Sequence, residues 1–205
     1  LSPGDGHRPV RTGQGRFVAL PGGAPLTGNP VRPAARDGAT PIPLLAMRYG
    51  EGAAGELVGY ADPASGRPTW TVPGARPLAA CAGRLVVAIA PSGGSGGAAA
   101  TDASADSEVA ALDPATGAIA WRTPLAGRPP TSAACTAGTV LTSRAGGSGG
   151  VSATRLVDGA QAWSSAPTGP APADTEPARL TARGEALLVA TRRSGLARLD
   201  CLGPT

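Results

Sequence analysis

The sequence predicts an all-β domain built from a repeated unit of four antiparallel strands, and three observations predict it. First, a strand, a turn carrying Asp and Gly, and a second strand ending in Trp occur together three times. The copies are ELVGYADPASGRPTW (56–70), EVAALDPATGAIAW (108–121) and GVSATRLVDGAQAW (150–163). Second, Trp70, Trp121 and Trp163 recur at intervals of roughly 40–50 residues, the length of a four-stranded blade. Third, the segments between them repeat too. PLAACAGRLVVAIA (77–90), TSAACTAGTVLTSR (131–144) and ARLTARGEALLVAT (178–191) each read as a short strand, a small-residue turn and an apolar, β-branched strand.

The unit is therefore strand A, turn, strand B, a loop of variable length, strand C, turn, and strand D with its Trp. One short sheet with alternating apolar residues cannot close a core alone, so neighbouring sheets must stack face to face. The whole reads as a β-propeller of about four blades. Residues 1–15 are expected to be a flexible N-terminal segment, and 16–205 a single propeller domain. RFVAL (16–20) followed by PGGAPLTGN reads as a C–D pair, with Leu26 roughly where Trp would stand. VRPAARDGATPIPLLAMR (31–48) is a faint A–B copy, and GEGAAG (50–55) is its variable loop. In the next turns Asp62 and Asp113 each precede Pro, which fixes φ, and a Gly follows that tolerates positive φ. The Gly/Ser-rich stretch 92–107 is a hairpin-tip insertion rather than a domain linker. The RLVDGAQAW copy (155–163) reads as one residue shorter at its turn. LARLD (196–200) is a final strand C with no strand D after it, so closure of the ring by the termini is the expectation. A piece of a longer propeller is the alternative.

Composition removes several function classes. The hydrophobic share is 41%, whereas 31 Gly and 22 Pro exceed ordinary usage. All 18 positive charges are Arg, and Asn29 and Phe17 are the sole residues of their types. That pattern indicates a GC-rich bacterial genome, so part of the Gly, Pro and Arg excess is mutational rather than physical. The net charge is +4, but the Arg residues are scattered and the aromatics are only three Trp, two Tyr and one Phe. A nucleic-acid surface needs clustered cations with stacking rings, so none is expected. No apolar run approaches the ~18 residues of a membrane span. The chain begins at Leu1 rather than Met, which suggests a processed product or an excised piece. A membrane tether is expected upstream of it.

ALDPATGAIAW (111–121) resembles the bacterial PQQ-type β-propeller repeat, strand–ALDxxTGxxxW, and YADPASGRPTW departs at its first residue. The resemblance spans about 31–200. It implies the propeller fold, the extracellular or periplasmic side of a bacterial membrane, and protein partners in the cell envelope. Relatives include quinoprotein dehydrogenases, an outer-membrane assembly lipoprotein and sensor-like domains of bacterial Ser/Thr kinases. The dehydrogenases typically have eight blades, a metal held by Glu, Asn and Asp, a catalytic Asp and often a disulfide between adjacent cysteines. Here the single Asn29 precedes Pro30 and no two Cys adjoin, so no catalytic, cofactor-binding or metal residue and no cofactor is carried over. The expectation is a non-catalytic binding or scaffold module, as a sensor or protein-interaction domain of a membrane-anchored protein. An accessory subunit of a membrane enzyme complex is the alternative.

The residues themselves agree with a scaffold. His7 is the sole His, in a polar Gly/Pro-rich stretch, and a catalytic or metal-bound imidazole needs partners. With His7 in that stretch as the sole imidazole a Ser-His-Asp arrangement is not expected, and the Gly-rich runs lack the Lys of a phosphate loop. Asp62 and Asp113 could form an acid–base pair, but their recurrence at one point of the repeat favours turn capping. Trp70, Trp121 and Trp163 are read as covers over the joints between sheets. Cys81 and Cys135 fall at the end of strand A in consecutive units, and Cys201 follows the last strand C. In an up–down blade the A–B and C–D turns share one face, so Cys81–Cys135 is the first disulfide expected and Cys135–Cys201 the second. Free buried thiols are the alternative.

Overall fold

The computed structural model describes residues 8–12, 16–20, 23–49, 55–90, 107–125, 129–130, 132–136, 138–143, 151–165, 179–183, 186–191 and 195–200. Within them the chain is a succession of five small sheets, antiparallel but for one short parallel pair, and the sole helical element is a 3-10 turn at Pro63–Ser65. The first sheet holds β1 (Arg8–Arg11), β2 (Phe17–Leu20) and β3 (Ala24–Leu26). Next come β4 (Asn29–Val31), the short β5 (Ala35–Arg36), β6 (Leu44–Arg48), β7 (Glu56–Tyr60) and β8 (Trp70–Pro73). Of these, β4, β6, β7 and β8 make the second sheet. The third contains β9 (Ala75–Cys81), β10 (Arg84–Ile89), β11 (Ser107–Leu112) and β12 (Ile119–Leu125), with β5 added at its first-strand edge. The fourth has β13 (Ala133–Thr136), β14 (Thr139–Ser143), β15 (Val151–Arg155) and β16 (Gln161–Ser164). The fifth comprises β17 (Arg179–Arg183), β18 (Ala186–Thr191) and β19 (Gly195–Asp200).

The two-residue period of a strand sends alternate side chains to opposite faces, and the cores follow that alternation. On β10, Leu85, Val87 and Ile89 pack toward the second sheet, with Leu45, Leu57 and Leu112. Val86 and Ala88 of the same strand pack toward the fourth, with Val109, Val140 and Leu156. Leu141 and Ala153 then meet Leu180 of the fifth sheet, and Ala46, Val58 and Tyr60 meet Ala19 and Leu26 of the first. The inner strands β7, β10, β11, β14 and β15 are thus buried on both faces and read as near-continuous small or apolar runs, whereas β8 and β12 alternate and β16 is exposed.

Several expectations are corrected here. Residues 1–15 are not wholly a flexible segment: Arg8–Arg11 pairs with Phe17–Leu20 in antiparallel register, giving the first sheet three strands instead of a C–D pair. That strand occupies the free edge of β2, and the first and fifth sheets share no strand pairing among the described residues, so the expected closure through a shared terminal sheet is not made there. The faint copy at 31–48 does contribute an A–B pair, β4 with β6, but strand A is Asn29–Val31, upstream of the expected start, and in place of a small-residue turn Ala35–Arg36 leaves the sheet to pair parallel with β9. Trp does not end strand D; it opens β8 and lies within β12 and β16. Strand β11 already begins at Ser107, while the rest of the 92–107 insertion lies outside the described residues.

Candidate interaction surface

The three C–D turns show where the repeat's polar residues are used. Gly117 N–H donates to the Asp113 carbonyl (2.8 Å) and Asp113 N–H to Ala118 (2.8 Å); Gly159 repeats this with Arg155 (3.0 Å) and Arg155 with Ala160 (2.9 Å). The turn at 155–159 is therefore as long as its counterpart, not one residue shorter. Arg155 stands in the Asp position, and Asp158 pairs with that Arg through Nε (3.1 Å) and Nη2 (2.6 Å). Asp113 Oδ1 accepts from Thr116 N–H (3.0 Å) and Ala115 N–H (2.8 Å), and these bonds hold its carboxyl below the usual carboxylate range. Asp62 Oδ1 accepts from Ala64 N–H (3.1 Å).

The turns at 113–117 and 155–159 each seat the Trp of the preceding sheet. Trp70 Nε1–H donates to the Pro114 carbonyl (3.1 Å) and Trp121 Nε1–H to the Leu156 carbonyl (2.9 Å). Both rings are 8% exposed. They lie so close on the turn glycines that a Cβ at Gly117 would stand 2.6 Å from Trp70 Cγ, and one at Gly159 would stand 2.6 Å from Trp121 Cδ2. Only a residue without Cβ, at ease with φ near +70°, fits there. The residue opposite each Trp in the ladder is also small: Gly59 for Trp70, Ala111 for Trp121 and Ala153 for Trp163. In the first sheet, Thr27 beside β3 takes the role differently. Its N–H (2.9 Å) and hydroxyl (2.7 Å) meet Tyr60 Oη, whose proton goes to the Thr27 carbonyl (2.9 Å). Trp163 is 39% exposed; the residues after Asp200, like His7 and Cys201, lie outside the described residues. The sulfurs of Cys81 and Cys135 are bonded, with Cα atoms 6.2 Å apart, joining the first strands of the third and fourth sheets.

The arm around β5 was not foreseen. Ala34 N–H donates to Leu78 O (2.9 Å) and Asp37 N–H to Ala80 O (3.0 Å). The Asp37 carboxylate then accepts from Ala39 N–H, Thr40 N–H, Thr40 Oγ1 and Ala82 N–H at 2.7–3.0 Å. Burial alone would raise its pKa, but the bonds from Thr40, Ala82 and Ala39 outweigh it and the carboxyl titrates below its ordinary range. They also secure Ala82, which adopts φ +49° in the β9–β10 turn. The RDGAT stretch signals a turn, yet nothing in it tells which sheet the turn will join.

Beside this arm, where the first strands of the second and third sheets approach each other, lies a cleft of about 220 Å³. Val31, Met47 and Leu78 supply apolar wall, and Arg32, Arg76 and Tyr49 line it as well. Arg76 Nη2 makes one long bond to Pro130 O (3.4 Å). Elsewhere, Arg48 pairs with Glu56, Arg122 with Glu108 (3.2 Å) and Arg155 with Asp158 (2.6 Å). Neither Arg32 nor Arg76 has a carboxylate partner among the described residues. No group of three or more His, Cys, Asp or Glu with metal-holding geometry occurs among the described residues.

Comparison with known proteins places this geometry in a family. The profile described as outer membrane protein assembly factor BamB matches residues 53–203, so the chain belongs to that PQQ-like β-propeller family. The crystal structure of BamB from Moraxella catarrhalis superposes with a TM-score of 0.55 at 17% identity, over 78% of this chain and 45% of that one. The computationally designed Ika8 protein superposes with a TM-score of 0.54 at 11% identity, over 96% of this chain and 56% of the other. The chain thus spans about half the length of these structures, and at such identities the likeness concerns the fold. No curated protein matches the sequence.

Proposed function

We propose that this chain, a member of the BamB-type propeller family, is a non-catalytic scaffold that binds a protein partner in the bacterial cell envelope. In this reading it acts on the extracellular or periplasmic side as the sensor or interaction domain of a membrane-anchored protein. The observation that carries the reading is how the repeat's signature residues are used. Asp62 and Asp113 cap their own turns, and Trp70 and Trp121 seal the joints between sheets. Residues committed to such contacts are held in place and are poor candidates to shuttle protons or ligate a metal. The family's description as an assembly factor supports a second reading, an accessory subunit of a membrane-bound machinery. Affinity purification of the full-length protein from its own membranes, after mild cross-linking, tests both. The expected result is one envelope protein recovered at near-equal stoichiometry. Recovery of no protein partner would contradict the proposal.

A further inference from the structure

We propose that the cleft between the first strands of the second and third sheets binds an extended peptide segment that presents a carboxylate next to an apolar side chain. This rests on the protein-binding reading above and locates its contact. The parallel register Ala35↔Ala79 and Arg36↔Ala80, with the Ala34 N–H to Leu78 O bond, holds the segment after Arg32 against β9, and Arg32 and Arg76 both line the cleft. Both guanidiniums are solvent-exposed and line the same cleft. The nearest described carboxylate along the arm, Asp37, is already occupied by three donors of its own loop and by Ala82 N–H of the β9–β10 turn. Two guanidiniums on one cleft, without a carboxylate partner among the described residues, each offer the fork geometry that suits a carboxylate.

The floor decides the rest of the ligand. Met47 and Leu78 are buried beneath the cleft, and Tyr49, beside Gly55, is 66% exposed at its rim. An apolar floor with a cationic rim favours an amphipathic ligand over a bare ion. Cofactor and drug-sized pockets run to roughly 300–1,000 Å³, so a cleft of about 220 Å³ suits one or two side chains. A lipid bilayer would present phosphates to the Arg residues, but its flat surface cannot fill a recess between strands. Pro30 and Pro33 flank Val31 and Arg32 and remove N–H donors from this edge, so recognition falls to side chains rather than to an added strand.

The probe is an acetylated ten-residue peptide of alternating Leu and Glu, labelled for fluorescence anisotropy and compared with Leu–Lys and Ser–Glu versions. The intact protein is expected to bind Leu–Glu at least tenfold more tightly than either control. The double variant Arg32→Gln/Arg76→Gln is expected to lose at least tenfold of that affinity with unchanged circular dichroism, and Arg122→Gln to lose nothing. Equal affinity of the double variant, or equal binding of Ser–Glu, would overturn the assignment. So would Arg-dependent binding to phosphatidylglycerol vesicles without peptide binding. If the double variant still captures the membrane partner and still binds the peptide, the cleft is wrong while the scaffold reading stands. If the peptide binds as expected and no partner is captured, the scaffold reading fails while the cleft stands.

Discussion

Replacing Gly159 by Ala tests the joint between the third and fourth sheets, and Gly138 provides a matched control. Both have positive φ, +75° at Gly159 and +80° at Gly138. A Cβ at Gly138 would meet nothing within 4 Å, whereas one at Gly159 would lie 2.6, 2.7 and 2.9 Å from Cδ2, Cε3 and Cγ of Trp121. Forcing an L-residue into the left-handed region costs about 1–2 kcal/mol, and this applies to both variants. The clash applies only to Gly159→Ala. The indole cannot swing away freely, because Nε1 is bonded to Leu156 O and its ring is 8% exposed within the core. Overpacking of that kind costs about 1–3 kcal/mol. Gly138→Ala should therefore destabilise by about 1–2 kcal/mol and Gly159→Ala by about 2–5. In a domain of this size each kcal/mol moves Tm by about 2–4 °C. Urea unfolding followed by circular dichroism measures both. The double variant Gly159→Ala/Trp121→Ala should show strong non-additivity, since removing the ring removes the clash. Equal costs for the two single variants would refute the claim that Trp121 is seated on the 155–159 turn.

Trp121→Ala alone should cost about 3–5 kcal/mol, as a buried aromatic truncation, and a loss under about 0.5 kcal/mol would mark Trp121 as a surface residue. Tyr60→Phe strips Thr27 of its hydroxyl partner and should cost about 1–3 kcal/mol; no change would mean that the first sheet does not dock through this contact. Cys81 and Cys135 close a loop with a sequence separation of 54, for which chain entropy gives about 4 kcal/mol. Non-reducing peptide mapping should recover the Cys81–Cys135 cross-link, and a Cys135–Cys201 peptide would contradict the pairing. Asp37 and Asp113 titrate below their ordinary range in the fold. The stability they contribute is full above about pH 3.9 and is lost as pH falls through the lowered folded-state values. Asp37→Asn should flatten the fall in urea midpoint below about pH 4, and an unchanged slope would count against the arm's role.

The repeat was legible because its physics is local and recurrent. The Trp residues, the turn glycines and the alternation of apolar residues mark the same points of each unit, and the sheets follow from them. The small residues opposite each Trp, Gly59, Ala111 and Ala153, are visible in the sequence too, although their purpose appears only once the ladder register is known. Turn length at 155–159 is not legible in the sequence because Arg155 stands where Asp113 opens its turn, and only the hydrogen bonds show that the two positions correspond. What stayed hidden is non-local. Ala35–Arg36 pairs with β9 some forty residues away, and no period or propensity in RDGAT encodes that choice. The cleft was missed for the same reason: Arg32 and Arg76 look like two of many scattered Arg residues until the fold places both on one cleft.

The central claim is that the repeat's signature residues build a scaffold and not a reacting centre. The most direct measurement is reconstitution of the purified protein with pyrroloquinoline quinone and Ca²⁺, followed by gel filtration, the cofactor's absorption and dye reduction with alcohols and sugars. A quinoprotein needs a cation to polarise the cofactor and a base to accept the substrate proton. Asp62 and Asp113 instead spend their lone pairs on turn N–H groups. The account predicts that no quinone co-elutes and no dye is reduced. Stoichiometric retention of quinone with turnover would contradict it.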